Sequence, residues 1–160
     1  MTSTTTERPD PIEALERVKE SILKNPSRFH MGSWVGKRLP KRAGGPCQTT
    51  MCIAGWLVHN EVPEIDVNAF EGRALEDQEL YNYCNDFLAI LAADILDQDV
   101  KAFRSDDLPW VFHVSQWPYD LALERQTAET VEEELKVTCK AIDLYILELR
   151  AERATCAIKQ

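Results

Sequence analysis

The first candidate for chemistry is a metal site built on Cys47, Cys52 and His59. These are ligand types that zinc accepts, and His30 or Cys84 could supply a fourth ligand. The spacing differs from the usual zinc pattern, because four residues separate the two cysteines and no second Cys-x2-Cys or His-x3-His pair follows. Reduced cysteines also pack as small hydrophobic side chains. We therefore expect no metal and no other cofactor, and these residues are weak candidates.

The second candidate is a cysteine nucleophile at Cys52. A helix is predicted to start at this position, and the dipole of a helix can lower the pKa of a thiol in its first turn. His59 would lie about 10 Å away along that helix, at about 1.5 Å per residue. A thiol–imidazole pair needs direct contact between its two groups. A packing role for Cys52 is therefore favoured.

The third candidate is an anion site at the same helix start. Thr49 and Thr50 are good N-cap residues, and a helix N-terminus presents free backbone N–H groups. Gly44 and Gly45 would let the backbone approach a ligand, although the order of a P-loop is absent. The ligand-binding candidates are Arg38, Lys41, Arg42, Thr49 and Thr50, with Lys37 beside them. A solvated basic loop explains the same residues.

The fourth candidate is a group of carboxylates at Asp86, Asp94, Asp97 and Asp99. No Glu-x-x-His motif accompanies them, which argues against a di-iron bundle. The pattern indicates a solvated acidic face. Such a face could instead imitate the charge of a nucleic acid and occupy a partner that binds one.

Helical periodicity and capping signals predict the elements that would position these residues. A helix begins at Asp10–Pro11, carries Ile12, Leu15, Val18 and Ile22 on one face, and ends at Asn25–Pro26. The other predicted helices span about 49–59, 76–97, 99–104, 106–116 and 130–150. In the helix over 76–97, the apolar period follows Leu80, Tyr83, Cys84, Phe87, Ile90, Leu91 and Ile95. No convincing hairpin is found.

The predicted fold is therefore all-α, a single compact domain of about six helices with a long basic loop between the first two main helices. We expect a disordered tail over 1–8, the helical domain over 9–152 and a frayed end over 153–160. The tryptophans stand near helix starts or breaks, and most are expected in the core, with one or two available for a partner groove. These are Trp34, Trp56, Trp110 and Trp117.

Length, composition and charge narrow the functional classes. A chain of 160 residues with 44% hydrophobic and 28% charged residues is typical of a soluble globular domain. We expect a cytoplasmic protein, because no signal-peptide core and no membrane-length apolar run is found. The net charge of −9 argues against direct nucleic-acid binding. Residues 1–45 carry nine basic and five acidic side chains, whereas residues 46–160 carry nine and twenty-two.

The run from Cys47 to Trp56 resembles the Cys-Gly-Thr-Thr-x-Cys-x-Ala-Gly-Trp signature of a family of small uncharacterised proteins of bacteria and phages. Gln48 replaces the glycine of that signature. A Met-x-x-Trp element precedes it, matched by Met31 to Trp34, and a Trp-Pro element follows, matched by Trp117–Pro118. The resemblance implies the fold and a motif core, but no reaction. That core would be Trp34, Cys47, Cys52, Gly55 and Trp56.

These observations favour a small interaction protein, bacterial or phage-encoded, that binds a macromolecular partner as an inhibitor or adaptor. A protein is the expected partner. The alternative is a protein that binds or sequesters a small molecule or nucleotide, using the basic loop over 37–50 and the helix start at Thr49 and Thr50. An enzyme ranks third, since no catalytic residues can be assigned.

Overall fold

A computed structural model describes residues 9–29, 35–37, 49–66, 78–97 and 108–158. Its α-helices are α1 (Pro11–Lys24), α2 (Ile53–Glu61), α3 (Gln78–Ile95), α4 (Tyr119–Gln126) and α5 (Val131–Ile158). Three 3-10 turns span Pro26–Arg28, Trp110–Phe112 and Val114–Gln116, and two short strands are β1 (Val35–Lys37) and β2 (Thr49–Met51). The prediction of an all-α fold is confirmed. The predicted helix over 99–104 and most of the basic loop lie outside the described residues.

Helix α1 follows its sequence signals at both ends. Asp10 is the N-cap, and its Oδ1 accepts hydrogen bonds from the backbone N–H groups of Ile12 at 2.9 Å and Glu13 at 3.2 Å. These bonds satisfy two N–H groups that the first helical turn leaves without a partner. Pro26 then begins a 3-10 turn after the helix. The predicted inward face is buried at Leu15, Val18 and Ile22, among others.

The start of α2 differs from the prediction that Thr49 and Thr50 cap it. Both threonines lie in β2, which pairs antiparallel with β1 so that Thr50 faces Gly36. Cys52 is the N-cap, and the helix begins one residue later. β-branched residues fit a strand better than a helix, so a strand partner outweighs the capping tendency of threonine. The short strand pair is also the pairing that the sequence analysis did not find.

Helix α3 confirms the prediction of a helix over 76–97, but its buried face is shifted. Phe87 and Ile90, which keep the apolar period, are 42% and 38% exposed. Ile95 of the predicted face is buried, and the other buried side chains here are Leu88, Ala89, Ala92, Ala93 and Leu96. Small alanines lie in this face because α3 packs closely against α2. Asp97 has a φ of 60°, the left-handed conformation that commonly follows the last turn of a helix.

The segment after residue 107 is less regular than predicted. The expected helix over 106–116 is wrong: two 3-10 turns replace it, separated by an extended His113. Trp117 then closes the segment, because its indole N–H donates to the carbonyl oxygen of Val111 at 3.1 Å. Helix α4 follows directly after Pro118 and was not predicted.

Helix α5 begins with the predicted capping box. The Thr130 hydroxyl accepts from the N–H of Glu133 at 3.1 Å, and the Glu133 carboxylate accepts from the N–H groups of Thr130 at 3.1 Å and Glu129 at 2.8 Å. The helix runs to Ile158, past the predicted end near Arg150. Residues 151–158 are all exposed, so this last part extends beyond the core.

Helix α1 lies between α2 and α5 and is held to both. The guanidinium of Arg17 donates to both carboxylate oxygens of Glu61 in α2, at 2.7 and 2.9 Å. Three ion pairs join it to α5: Asp10–Arg153 at 2.7 Å, Glu16–Arg150 at 3.2 Å, and Lys19–Asp143. The pairing order shows that α1 and α5 run antiparallel. Helix α2 also packs against α3, and α4 packs against α5.

Candidate functional site

The motif that dominated the sequence analysis forms part of the core. Cys52 is 3% exposed and Trp56 is 2% exposed, and Gly55 between them is buried as well. Trp34 and Cys47, the other members of the predicted motif core, lie outside the described residues. Every residue from Cys52 to Val58 is buried, so the first part of α2 belongs to the core.

Trp56 has a polar environment despite its burial. The guanidinium carbon of Arg28 lies 5.2 Å from the centre of the indole ring, and the imidazole of His59 is nearly perpendicular to the indole, with the ring centroids 5.3 Å apart. Burial lowers the pKa of His59, and the nearby charge of Arg28 lowers it further. The indole N–H of Trp56 is buried and has no hydrogen-bond acceptor among the described residues.

The metal candidates lie only partly within the described residues, whereas the nucleophile candidate Cys52 is described and buried. The described part of the chain holds no group of three or more metal-ligating side chains. His30 and Cys47 lie outside it, as does the side chain of Cys84. Burial raises the pKa of the Cys52 thiol to about 11, although the N–H groups of Gly55 and Ala54 lower it in part. Burial therefore outweighs any lowering of the thiol pKa by the start of the helix.

The anion candidates are not brought together in the described residues. Thr49 and Thr50 belong to β2 rather than to a helix N-terminus. Arg38, Lys41 and Arg42 lie outside the described residues, so the basic loop stays a prediction. Of the carboxylates, Asp94 is exposed, and Asp97 follows the end of α3 with a left-handed backbone conformation. Asp99 and the side chain of Asp86 lie outside the part of the chain that the structure describes.

An open cleft between α1 and α5, which the sequence analysis missed, has a volume of about 1060 Å³. It lies where the end of α1 and the turn after it run beside the first three turns of α5. From α1 and its turn the lining residues are Lys19, Leu23, Pro26 and Ser27. From α5 they are Val131, Glu132, Leu135, Lys136, Cys139, Lys140 and Asp143. We name this feature the α1–α5 cleft.

The α1–α5 cleft has an apolar interior. Val131, Leu135 and Cys139 follow one another at four-residue spacing and form a stripe along α5. On the opposite wall, Leu23 is 56% exposed, a large fraction for an apolar side chain beside the core. Burial raises the pKa of the Cys139 thiol, which the nearby Lys19 opposes. This thiol is therefore a weak nucleophile at neutral pH.

Charged side chains form the rim of the α1–α5 cleft. Lys19 pairs with Asp143 across one end, which ties the two walls together. Lys140 pairs with Glu124 of α4, outside the lining. Lys136 and Glu132, which lie nearer the start of α5, are both exposed. The lining therefore carries three lysines and two acidic side chains, and two of the lysines are paired with carboxylates.

The signal for this cleft in the sequence is weak. Leu23 falls outside the apolar stripe of α1, next to Ile22, and so its exposure is consistent with the helical period. Which two helices border a cleft is decided by tertiary packing, which periodicity alone does not give.

No family model, curated protein or solved structure matches this chain. Membership of the family with the Cys-Gly-Thr-Thr-x-Cys-x-Ala-Gly-Trp signature stays a prediction. None of the helices in the described ranges combines the length and the hydropathy needed to span a membrane.

Proposed function

We propose that this protein acts by binding a protein partner, as an inhibitor or adaptor, and that the α1–α5 cleft is the docking surface. The observation that carries the proposal is the open apolar interior of the cleft, with Leu23 56% exposed at its edge. Exposed apolar patches with a polar rim are typical of sites where proteins bind one another. Burying such a leucine on binding is worth about 1.5–3 kcal/mol.

The surrounding charges support the same proposal. Lys19 and Lys140 are already paired with carboxylates, whereas Lys136 and Glu132 are exposed on the rim and would restrict how a charged partner is oriented. The cleft wall is also well anchored, since α1 is bonded to α2 through Arg17 and Glu61. A partner would therefore meet a surface that needs little rearrangement.

The test compares two leucines of similar exposure. Leu23→Glu places a charge in the cleft, whereas Leu147→Glu makes the same change on α5 at a leucine that is 59% exposed and does not line the cleft. We expect Leu23→Glu to weaken binding of the partner about 10- to 100-fold, the effect of losing one buried leucine. Quantitative affinity purification from cells that express the protein, followed by titration of the recovered partner, measures the change.

The Leu147→Glu variant should retain the partner, and circular dichroism should show that both variants are folded. Equal loss of the partner in both variants, or equal retention, would contradict the use of this cleft.

A second candidate function is binding of a small anionic molecule near α2. The buried indole N–H of Trp56, which has no described acceptor, and the Arg28 guanidinium over the same ring favour it. A buried N–H without an acceptor costs about 1–3 kcal/mol, which a bound acceptor would offset. The basic residues Arg38 and Arg42 precede β2 and would add positive charge.

Native mass spectrometry of the protein purified from cells tests this second function. We expect an excess mass of a small organic anion that disappears on denaturation and after charge reversal of Arg38 and Arg42. A mass equal to that of the polypeptide alone would contradict ligand binding and leave the protein partner as the proposal.

A further inference from the structure

We infer that the segment over 118–128, which contains α4, is a strap that detaches from α5 as one unit while the rest of the fold stays formed. We name this segment the α4 strap. The inference goes beyond the proposed function, because the detachment needs no partner. It follows from the packing of α4, from the polar contacts that hold it, and from the anchored residues on either side.

The α4 strap contributes little to the core. None of the eight residues of α4 is buried, and Tyr119 and Leu123 are 78% and 46% exposed. Leu121 and Ala122 are only partly buried against the core. Helix α1, by contrast, has five buried residues. Because most of the stability of a helix in a protein comes from burial of its apolar face, α4 is held more weakly than α1.

Two ion pairs join the strap to α5. The guanidinium of Arg125 donates to the carboxylate of Glu134 at 3.2 Å, and Lys140 donates to Glu124. The second pair is half-exposed on both sides, so water and salt weaken it. In the first pair Glu134 is buried, so the loss of its hydration opposes the attraction between the two charges. The docked strap is therefore held by few and weakly favourable contacts.

One buried group favours the detached state. The Nε–H of Arg125 is buried and has no hydrogen-bond acceptor among the described residues. A buried donor without an acceptor is costly, because it has given up the hydrogen bond that water offers. Detachment returns this group to water and removes that cost.

Anchored residues on both sides limit the detachment to the strap. Trp117 is 5% exposed, and its indole N–H donates to the carbonyl oxygen of Val111 at 3.1 Å. On the other side, the capping box over 129–133 begins α5. The strap can therefore leave α5 without breaking the bonds of either anchor. Since a helix of eight residues without a side-chain N-cap is unstable alone, we expect the detached strap to unfold.

Detachment changes the charge of the α1–α5 cleft. Lys140 lines the cleft and pairs with Glu124 of the strap. Detachment removes this partner, whereas Lys19 keeps Asp143, which belongs to α5. A ligand that binds the form with the released lysine more tightly would shift the equilibrium towards the detached strap. This coupling rests on the proposed function, whereas the detachment itself does not.

Hydrogen exchange at single backbone amides of the full-length protein, measured by NMR spectroscopy, tests the inference. We expect the amides over 122–128 to exchange about 100- to 1,000-fold more slowly than in an unfolded peptide, and those over 15–22 at least about a hundredfold more slowly again. Protection over 122–128 equal to that over 15–22 would overturn the inference. So would no protection, since the strap would then not dock, or protection that declines from one end of α4, since the helix would then only fray.

Two glutamate variants show whether the strap opens separately from the whole fold. Glu134→Gln removes the charge that Arg125 binds in the docked state only, so exchange over 122–128 should become about tenfold faster. Glu61→Gln is the matched control, because Glu61 pairs with Arg17 between α1 and α2, and its side chain is 8% exposed, as is that of Glu134.

The control variant weakens the docked and the detached forms equally, because α1 and α2 stay packed in both. It should therefore accelerate exchange over 15–22, which needs global unfolding, and leave exchange over 122–128 unchanged. The same acceleration of the strap by both variants, or none by Glu134→Gln, would overturn the inference. Neither measurement uses a partner, so the proposed function stands or fails separately.

Discussion

At the residue scale, the three described thiols show how burial overrides local sequence signals. Cys52 stands at a helix start, where the dipole favours a thiolate by about 0.3–1 kcal/mol. Removing the charged form from water acts in the opposite direction and is larger, so the pKa rises to about 11. Cys139 is half-buried and its pKa is raised too, whereas Cys156 is exposed.

These environments predict an order of alkylation. With iodoacetamide at pH 8, Cys156 should react fastest, Cys139 several-fold slower, and Cys52 at least about a hundredfold slower, since its thiolate population and its access are both reduced. Peptide-level mass spectrometry over time measures the three rates separately. In denaturant the rates should become similar. Fast labelling of Cys52 in the folded protein would contradict its burial.

The sequence analysis named some residues of the candidate regions and did not name others. Of the predicted motif core, the structure describes Cys52 at the N-cap of α2 and Gly55 and Trp56 within that helix, and all three are buried. Leu23 and Lys136 were not recognised, because nothing in a solvent-facing leucine or lysine distinguishes a cleft wall from an ordinary helix surface. Their role depends on which helix lies opposite.

At the element scale, predictions succeeded where a cap and a helical period agreed. Helix α1 has both signals, and so does the start of α5. Helix α4 has no side-chain cap and no buried residue, so its sequence gave little signal for a helix of eight residues. The turns over 110–116 carry apolar residues at near-helical spacing, but packing of Val111, Phe112 and Trp117 into the core favours tighter 3-10 turns.

The capping box of α5 predicts how stability depends on pH. Hydrogen bonds from the backbone N–H groups of Glu129 and Thr130 lower the pKa of Glu133. Its carboxylate therefore stabilises the fold above the usual glutamate pKa, and this contribution is lost as the pH falls through the lowered value. Wild type should exceed Glu133→Gln in stability at pH 7, and the difference should vanish in acid.

Urea unfolding from pH 7 to pH 3 measures this difference. The Thr130→Ala variant is the control: its free energy of unfolding should fall by about 1 kcal/mol. It should keep most of the pH dependence, because the two backbone bonds that lower the pKa of Glu133 most remain and only the smaller contribution of the Thr130 side chain is lost. A constant difference between wild type and Glu133→Gln at every pH would contradict the role of the carboxylate.

At the scale of the whole molecule, the fold class followed from the sequence, whereas the functional surface did not. Periodic apolar residues had to be buried against one another, and one core joining α1, α2, α3 and α5 does so. The charge pattern indicated acidic and basic regions, but not that Leu23 and Leu135 would line the same cleft. That juxtaposition depends on the antiparallel order of two helices far apart in the chain, which local signals do not specify.

Helix α5 carries two native cysteines at a known separation. Cys139 lies in the cleft wall and Cys156 in the exposed last part of the same helix, so the two sulfur-bearing positions are about 25 Å apart along its axis. Paired spin labels or fluorophores at these native positions, in a variant whose other three cysteines are replaced by serine, would report whether the helix stays straight. A label at Cys156 alone would leave the cleft accessible. Because the labelled protein rotates more slowly when a partner is bound, its rotational diffusion would then report the size of that partner.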